Sequence, residues 1–390
     1  MGNDIIAILL LSIVIARLSS FLLGKLRVPP IAAYMIVGIL LGPSVLKLIT
    51  VNDYPDILVT FSLLFLLFYA GLNVDFRGFR IYFKQALILT ISGVSLTSII
   101  TLLILAYLGY SLYASLIVAI SLSNTATEVV VIMLEQTGGI DDIFKRTLIS
   151  ASFFDDILAV MLMSIVKGGM LGSGSTALIE IMKFTASFAA IAALSLLIAK
   201  VLQRRIYTLV INWSYLVMLA SILFFGFSYT FGLLGLGMTL GAYLAGLLIS
   251  SLRLTHDPTL MYVVRIEELI TRIGTILEFF IIPIFFVYVG IKVNIHLLFT
   301  PLTLILLTLA FIGKFVGSLI PTYFSSGARK AVLMGIAMNV RGSLEPALAL
   351  LALEVGVISL ELFNSVIMVS LITSLIIPVL FSNLRGRLSY

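Results

Sequence analysis

Apolar residues run almost without interruption along this chain, in blocks separated by short clusters of charge, glycine, proline and asparagine. The blocks are close to the roughly 20 residues that a helix needs to cross bilayer hydrocarbon. Cutting at the polar clusters predicts thirteen membrane segments, approximately 3–23, 30–49, 56–74, 85–108, 112–135, 146–167, 178–201, 210–230, 233–252, 270–291, 298–322, 328–354 and 360–384. The narrowest divisions are at Gly109–Ser111 and at Phe231–Gly232. The pattern therefore predicts an all-α polytopic membrane protein.

Composition agrees, because 61% hydrophobic residues over 390 positions and a mean hydropathy of +1.22 exceed what a soluble core can bury. There is no cysteine, so disulfides and thiolate metal sites are excluded, and His256 and His296 lie too far apart in sequence to suggest a histidine metal site. The first apolar block, Ile5 to Leu23, lacks the basic leader and cleavage motif of a signal peptide and reads as the first span.

Basic residues test the count. With thirteen spans, Lys25, Arg27, Arg77, Arg80, Lys84, Lys145, Arg146, Lys200, Arg204, Arg205, Arg253, Arg265, Arg272, Arg329, Lys330, Arg385 and Arg387 share one side, and only Lys47, Lys167 and Lys292 lie on the other. The positive-inside rule then places the N-terminus outside and the C-terminus in the cytoplasm of a multi-pass cell-membrane protein. The net charge of +6 reflects this topology and contact with membrane lipids rather than nucleic acid, for which no aromatic-basic stripe exists.

Against this apolar background, charge inside a span stands out. Asp155 and Asp156 are adjacent near the middle of segment 146–167. Intramembrane carboxylates are costly unless protonated, paired or hydrated, and they mark ion or proton pathways. Four basic residues also fall within spans: Arg17, Lys183, Lys314 and Arg341. Arg17 and Lys183 lie within reach of a membrane face and can snorkel. Lys314, by contrast, falls at nearly the same depth as the two aspartates, which makes them its natural counter-ions.

Two segments carry polar interruptions. Segment 112–135 contains Ser121-Leu-Ser-Asn-Thr-Ala-Thr-Glu128, and segment 328–354 contains Asn339-Val-Arg-Gly-Ser-Leu-Glu-Pro346. In the second, glycine and proline disrupt a continuous helix; in the first, serine and threonine can also bond back to the preceding turn and merely bend the helix, and it is the counterpart that favours a break. The two segments run in opposite directions through the membrane. Broken helices at corresponding places in opposite orientation are the signature of an inverted-repeat transporter with its site where the half-helices meet.

Taken together, these residues resemble the second branch of the monovalent cation/proton antiporters, which includes NapA-type sodium/proton exchangers and Kef-type potassium systems. The resemblance spans nearly the whole chain and rests on Pro30 to Pro43, Leu67 to Asp75, Ser121 to Glu135, Phe154-Asp155-Asp156, Phe285 to Gly290, and Lys314. Two features depart from the family pattern. Where the family often has Arg-Gly-Glu, this chain has Arg341-Gly342-Ser343 with Glu345 two places later, so no role is carried over to that glutamate; and Asp155-Asp156 replaces the Gln-Asp common in Kef-type proteins, which favours the NapA-type reading.

The resemblance implies a homodimer and a NapA/NhaA-like fold. Dimerisation-domain helices 1–3 would occupy 1–84, core helices 4–6 would occupy 85–167, linking helix 7 would occupy 168–209, dimerisation-domain helices 8–10 would occupy 210–297, and core helices 11–13 would occupy 298–390. It pairs Asp155 with Lys314 as the coupling salt bridge and leaves Asp156 as the site where a proton and a sodium ion compete. Oxygens around the break at Ser123, Asn124, Thr125 and Thr127 would complete a site for a hard alkali cation. Glu128 is a further candidate ligand or gate. Arg341 is expected to neutralise half-helix ends or to pair with an acid such as Glu278. The expected activity is alternating-access exchange of protons for sodium or lithium, with no cofactor and no enzymatic reaction; potassium/proton exchange is the nearer alternative and a cation channel the more distant one.

Overall fold

A computed structural model describes residues 2–25, 28–74, 76–137, 140–170, 186, 212–233, 237–254 and 261–388. The described residues form helices and short connections, and seven of the helical stretches are long and apolar enough to cross a membrane. In chain order the helices are α1 (Gly2–Gly24), α2 (Pro30–Leu41), α3 (Asp56–Leu72), α4 (Phe76–Tyr107), α5 (Leu112–Ser123), α6 (Thr127–Thr137), α7 (Asp142–Met170), α8 (Trp213–Leu233), α9 (Met238–Ser251), α10 (Met261–Ile276), α11 (Ile282–Lys292), α12 (Pro301–Ser326), α13 (Ala328–Ala337), α14 (Leu344–Glu354) and α15 (Leu360–Leu388). Apart from residue 186, the expected segment 178–201 lies outside the described residues.

The differences from the hydrophobic pattern have local causes. The segment expected at 30–49 is helical only to Leu41, because Pro43 forces Gly42 into an extended conformation (φ −71°, ψ 180°). The chain then folds back with Leu48 and Ile49 donating to the Leu41 carbonyl, and Lys47 takes a left-handed φ of 56°. Helix α4 begins nine residues before the expected Gln85, and α15 reaches Leu388, because polar residues near the membrane surface continue a helix that hydropathy truncates. The expected span 270–291 is part of a longer element in which α10 and α11 are joined by a π-turn at Leu277–Ile281. The two narrowest divisions are present, and the second lies slightly later than expected: Gly109, at φ 87°, turns the chain between α4 and α5, and α8 ends at Leu233.

The chain divides into two compact units. One comprises Ile57–Ile81 and Val160–Ile282. Its core joins α3, α8, α9 and α10 through Leu64, Phe68, Leu216, Phe224, Ile249 and Ile266. Helices α3 and α9 cross at glycines: a Cβ on Gly71 would lie 2.2 Å from the Tyr243 carbonyl oxygen, and one on Gly246 would lie 2.2 Å from that of Phe68. Small residues at such a crossing let backbones approach closely, which is how helices gain packing energy in lipid. Arg253 donates to the Leu72 carbonyl at 3.1 Å and Ser250 donates to that of Val74, so the end of α3 is closed by partners from the last turn of α9 and just after it.

The other unit comprises Met1–Asp56, Tyr82–Ala159 and Pro283–Tyr390. Here α2 and α11 cross at Gly38 and Gly290, where an added Cβ would sit 2.1 Å from the Val287 oxygen or 2.2 Å from the Met35 oxygen respectively. Helices α4 and α12 cross in the same way: Gly317 faces Gly93, and the Ser92 hydroxyl donates to the Gly317 carbonyl at 2.7 Å. Some polar side chains inside these helices are satisfied locally. Thr97, Thr322 and Thr373 each donate to the carbonyl four residues earlier, the usual solution for a hydroxyl away from water.

Candidate functional site

The two interrupted segments are broken helices. Helix α5 ends at Ser123 and α6 begins at Thr127, with Asn124 extended at φ −75° and ψ 159°. Helix α13 ends at Ala337 and α14 begins at Leu344. The breaks exchange hydrogen bonds: Ala126 N donates to the Val340 carbonyl at 2.9 Å, the Thr125 hydroxyl to the Met338 carbonyl at 2.8 Å, and Ser343 N to the Glu128 carboxylate at 2.8 Å. Gly342 is the point of closest approach, since a Cβ there would meet the Ala126 Cβ at 2.4 Å and Glu128 Oε1 at 2.5 Å. Breaking a helix frees backbone groups that must be satisfied without water, and each break supplies partners for the other.

Helix α7 presents its aspartates to this crossing. Asp155 and Asp156 point in different directions because successive helical residues are about 100° apart. Asp155 is buried, and its Oδ2 accepts from Lys314 Nζ at 2.6 Å. The same ammonium donates to the Ser123 carbonyl at 2.6 Å, placing positive charge on the C-terminal end of α5. The flanking glycines of α12 explain how lysine fits: Gly313 and Gly317 press against α4, and Gly93 leaves space for the Lys314 methylenes, which would lie 3.3–3.4 Å from a Cβ at that position.

Among the described residues no lysine or arginine pairs with Asp156. Its Oδ1 accepts from Asn124 Nδ2 at 3.0 Å and its Oδ2 from the Thr127 hydroxyl at 2.9 Å. Thr127 is the first residue of α6, so the carboxylate stands at that helix's positive end. Asn124 Oδ1 is buried and has no hydrogen-bond partner. The Asp156 carboxylate and the Thr127 hydroxyl are hard oxygens of the kind alkali cations take, and the Asn124 oxygen would join them on a flip of its amide. Among the described residues no cluster of three or more His, Cys, Asp or Glu is placed to hold a metal ion, so such a cation would draw on neutral oxygens.

The residues named from the sequence therefore have distinct placements. Asn124 and Thr127 meet Asp156. Ser123 offers its carbonyl to Lys314 while its hydroxyl bonds back to Ile120, and the Thr125 hydroxyl is used between the breaks. Glu128 caps the first turn of α14. Arg341 is fully buried, donates weakly to the Ala310 carbonyl at 3.5 Å, and is held electrostatically by Glu345 and Asp155. Glu278 is exposed on the π-turn; the acids whose charge acts on Arg341 are Glu345 and Asp155, with no ion pair to it among the described residues. Glu345 is the residue the sequence did not assign. It is buried, and it accepts from Gly342 N at 2.9 Å. Its only signal was a glutamate in the first turn of a helix restarting after a glycine, which is a capping pattern.

A family model described as "Sodium/hydrogen exchanger, transmembrane" matches residues 6–384. The chain is 27% identical to a probable Na(+)/H(+) antiporter 3 of Methanocaldococcus jannaschii, over 93% of this chain and 92% of that protein. It is 25% identical to a Na(+)/H(+) antiporter of Enterococcus hirae, over 97% of each chain. It is also 26% identical to the Na(+)/H(+)-K(+) antiporter GerN of Bacillus cereus, over 96% of this chain and 93% of that protein. Its fold is similar to that of the sodium proton antiporter MjNhaP1 of Methanocaldococcus jannaschii, with a TM-score of 0.74 at 16% identity, covering 99% and 98% of the two chains.

Proposed function

Because the chain belongs to the sodium/hydrogen exchanger family, we propose that it exchanges protons for sodium by competition at Asp156. The observation that carries this reading is the asymmetry of the aspartate pair: Asp155 is occupied by Lys314, whereas among the described residues Asp156 is held by the neutral Asn124 and Thr127. A protonated Asp156 cannot ligate sodium, and a sodium-bound carboxylate repels a proton. Asp156, Asn124 and Thr127 supply the cation's oxygens, Lys314 and Asp155 form the coupling pair, and Arg341 with Glu345 and Glu128 holds the two breaks in place.

The broken helices belong to two inverted repeats in this proposal, one within 30–167 and the other within 233–384. Helices at 85–167 and 298–390 form a mobile core, those at 1–84 and 210–297 a dimerisation panel, and the stretch 168–209 the link. The N-terminus lies outside and the C-terminus inside, in accordance with the distribution of lysine and arginine. Within the family, the adjacent aspartates favour a NapA-type exchanger over a Kef-type system. Potassium is the competing substrate, and the relative named as a Na(+)/H(+)-K(+) antiporter keeps that reading in view.

The deciding experiment is purified protein in liposomes with an imposed proton gradient, scanning lithium, sodium and potassium. Dissipation by sodium and lithium in the wild type, and by none of the three in Asp156→Asn, is the expected result. Dissipation by potassium alone would replace sodium as the substrate, and full activity of the variant would remove Asp156 from the site.

A further inference from the structure

We propose that protons reach the Lys314–Asp155 pair through the interior of the core, between α4, α7 and α12, by way of the Thr147 and Ser318 hydroxyls and without passing Asp156. This route rests on reading that pair as half of the exchange site. It begins at a cavity of about 80 Å³ among α4, α7, α12 and α13, on the face that carries most of the lysine and arginine. Its mouth is polar: Gln85, Asp141 and Lys330 are exposed, and the last two pair at 2.8 Å. Leu89, Thr147 and Thr322 line it deeper, all three buried. One water needs about 10–15 Å³ of such space, so the cavity has room for several.

Three helix faces lead inward from the buried lining to the ion pair. On α7, Thr147, Ala151 and Asp155 follow at four-residue steps; on α12, Thr322, Ser318 and Lys314 do so in reverse; and on α4, Leu89 is followed by Gly93. Gly93 marks where the line meets the pair. The place of a Cβ there lies 3.2 Å from Ser318 Oγ and 3.4 Å from Lys314 Cε, so the serine hydroxyl stands beside the lysine stem whose ammonium holds Asp155 at 2.6 Å. Two hydroxyls on this line have no use in the fold. Thr147 Oγ1 and Ser318 Oγ are buried without a hydrogen-bond partner, whereas Thr322 donates to the Ser318 carbonyl. An unpartnered buried hydroxyl costs stability, so packing does not account for either. Each can take a proton on its oxygen and release its own hydrogen onward, so that only a proton moves and both side chains end unchanged. A four-residue helical step is about 6 Å, a gap that one bridging water closes with two hydrogen bonds. The proton comes to rest on the Asp155 carboxylate, with Lys314 remaining an ammonium.

The chain has no cysteine, so single cysteines report access to the route. In the purified full chain, Thr147→Cys and Ser318→Cys should react with a small charged methanethiosulfonate, Ser318→Cys the more slowly, while Leu148→Cys, buried beside Thr147 but not lining the cavity, should stay unmodified. In liposomes, Thr147→Val and Ser318→Ala should lower the maximal exchange rate severalfold with the KM for the cation and the melting temperature unchanged, and Thr147→Ser should restore the rate. Cysteines as unreactive as Leu148→Cys, valine and alanine variants as fast as the wild type, or a raised KM at an unchanged maximal rate would each overturn the route. A slower rate that merely follows a lowered melting temperature would overturn it too, by making the hydroxyls structural. Failure of the exchange reading would look different: the wild type itself would move no cation, while cysteine labelling, which needs no transport, would be unaffected.

Discussion

Asp155 and Asp156 are neighbours in sequence and opposites in surroundings, and two substitutions separate their roles. Asp156→Asn keeps the shape and the contacts to Asn124 and Thr127 but removes the charge; exchange should fall to background with expression and melting temperature preserved. Thr127→Val deletes one donor to the carboxylate. Hydrogen bonds to charged groups contribute about 1.5–3 kcal/mol, so the apparent KM for sodium should change by roughly tenfold or more, measured in the same liposomes, with much of the maximal rate retained. Lys314 obeys a different rule, because removing one partner of a buried ion pair leaves the other charge stranded, at a cost of about 3–5 kcal/mol. Lys314→Gln should therefore melt earlier than the wild type, and adding Asp155→Asn should recover most of the loss; a double variant no more stable than the single would mean that the pair contributes nothing to folding. The sequence pointed to these residues because charge is rare in an apolar span. It could not separate Asn124 and Thr127 from Ser123 and Thr125, since which polar group at a break turns toward α7 depends on the broken backbone. Glu345 stayed unassigned because its contact with Gly342 N–H exists only when the loop has closed.

Among the helices, the crossing of the two breaks is the most constrained feature. Gly342 has no room for a side chain, and Gly342→Ala should push α6 from α14, lowering both melting temperature and transport. Glu128 accepts from Ser343 N at the start of α14. Glu128→Gln retains an acceptor and should transport nearly normally, whereas Glu128→Ala should lose activity; equal loss in both variants, with unchanged melting, would instead make the glutamate a cation ligand. At the surface, Asp141 pairs with Lys330 at 2.8 Å, linking the starts of α7 and α13, and the lysine holds its carboxyl below the usual carboxylate range. A lowered folded pKa means that the contribution is present above the ordinary carboxylate value and is lost only as pH falls through the lowered one. Asp141→Asn should accordingly lower the melting temperature slightly and by the same amount across the neutral and alkaline range, with the difference from the wild type vanishing only in acid, as measured by a pH series of melts. Hydrophobic blocks located most of these helices because length and apolarity are what the bilayer selects. They misjudged the ends of α2, α4 and α10, where a proline turn, a polar extension and a π-turn decide the boundary and none of these changes the hydropathy of the block.

Charge counting connects the site to the behaviour of the whole molecule. With both aspartates ionised and Lys314 protonated, the three groups sum to −1; one sodium brings them to zero, and two protons bring them to +1. Arg341, Glu345 and Glu128 enlarge the buried cluster, but they cancel from the difference while each keeps its protonation state. The sodium-loaded and proton-loaded forms then differ by one charge, so each cycle moves net charge across the membrane, and the potential contributes about 2.3 kcal/mol per charge per 100 mV. The alternative is that the 2.6 Å contact between Lys314 and Asp155 persists throughout the cycle. Only Asp156 would then titrate, and exchange would be one-for-one and electrically silent. Running the liposome assay with and without a potassium-valinomycin clamp distinguishes the two, and the expected result is a sodium-driven proton flux that responds to the imposed potential. Insensitivity in the wild type would rule out the two-proton cycle. Insensitivity confined to Lys314→Gln would place the lysine in the coupling itself, because a fixed structural cation could be removed without changing how many charges move.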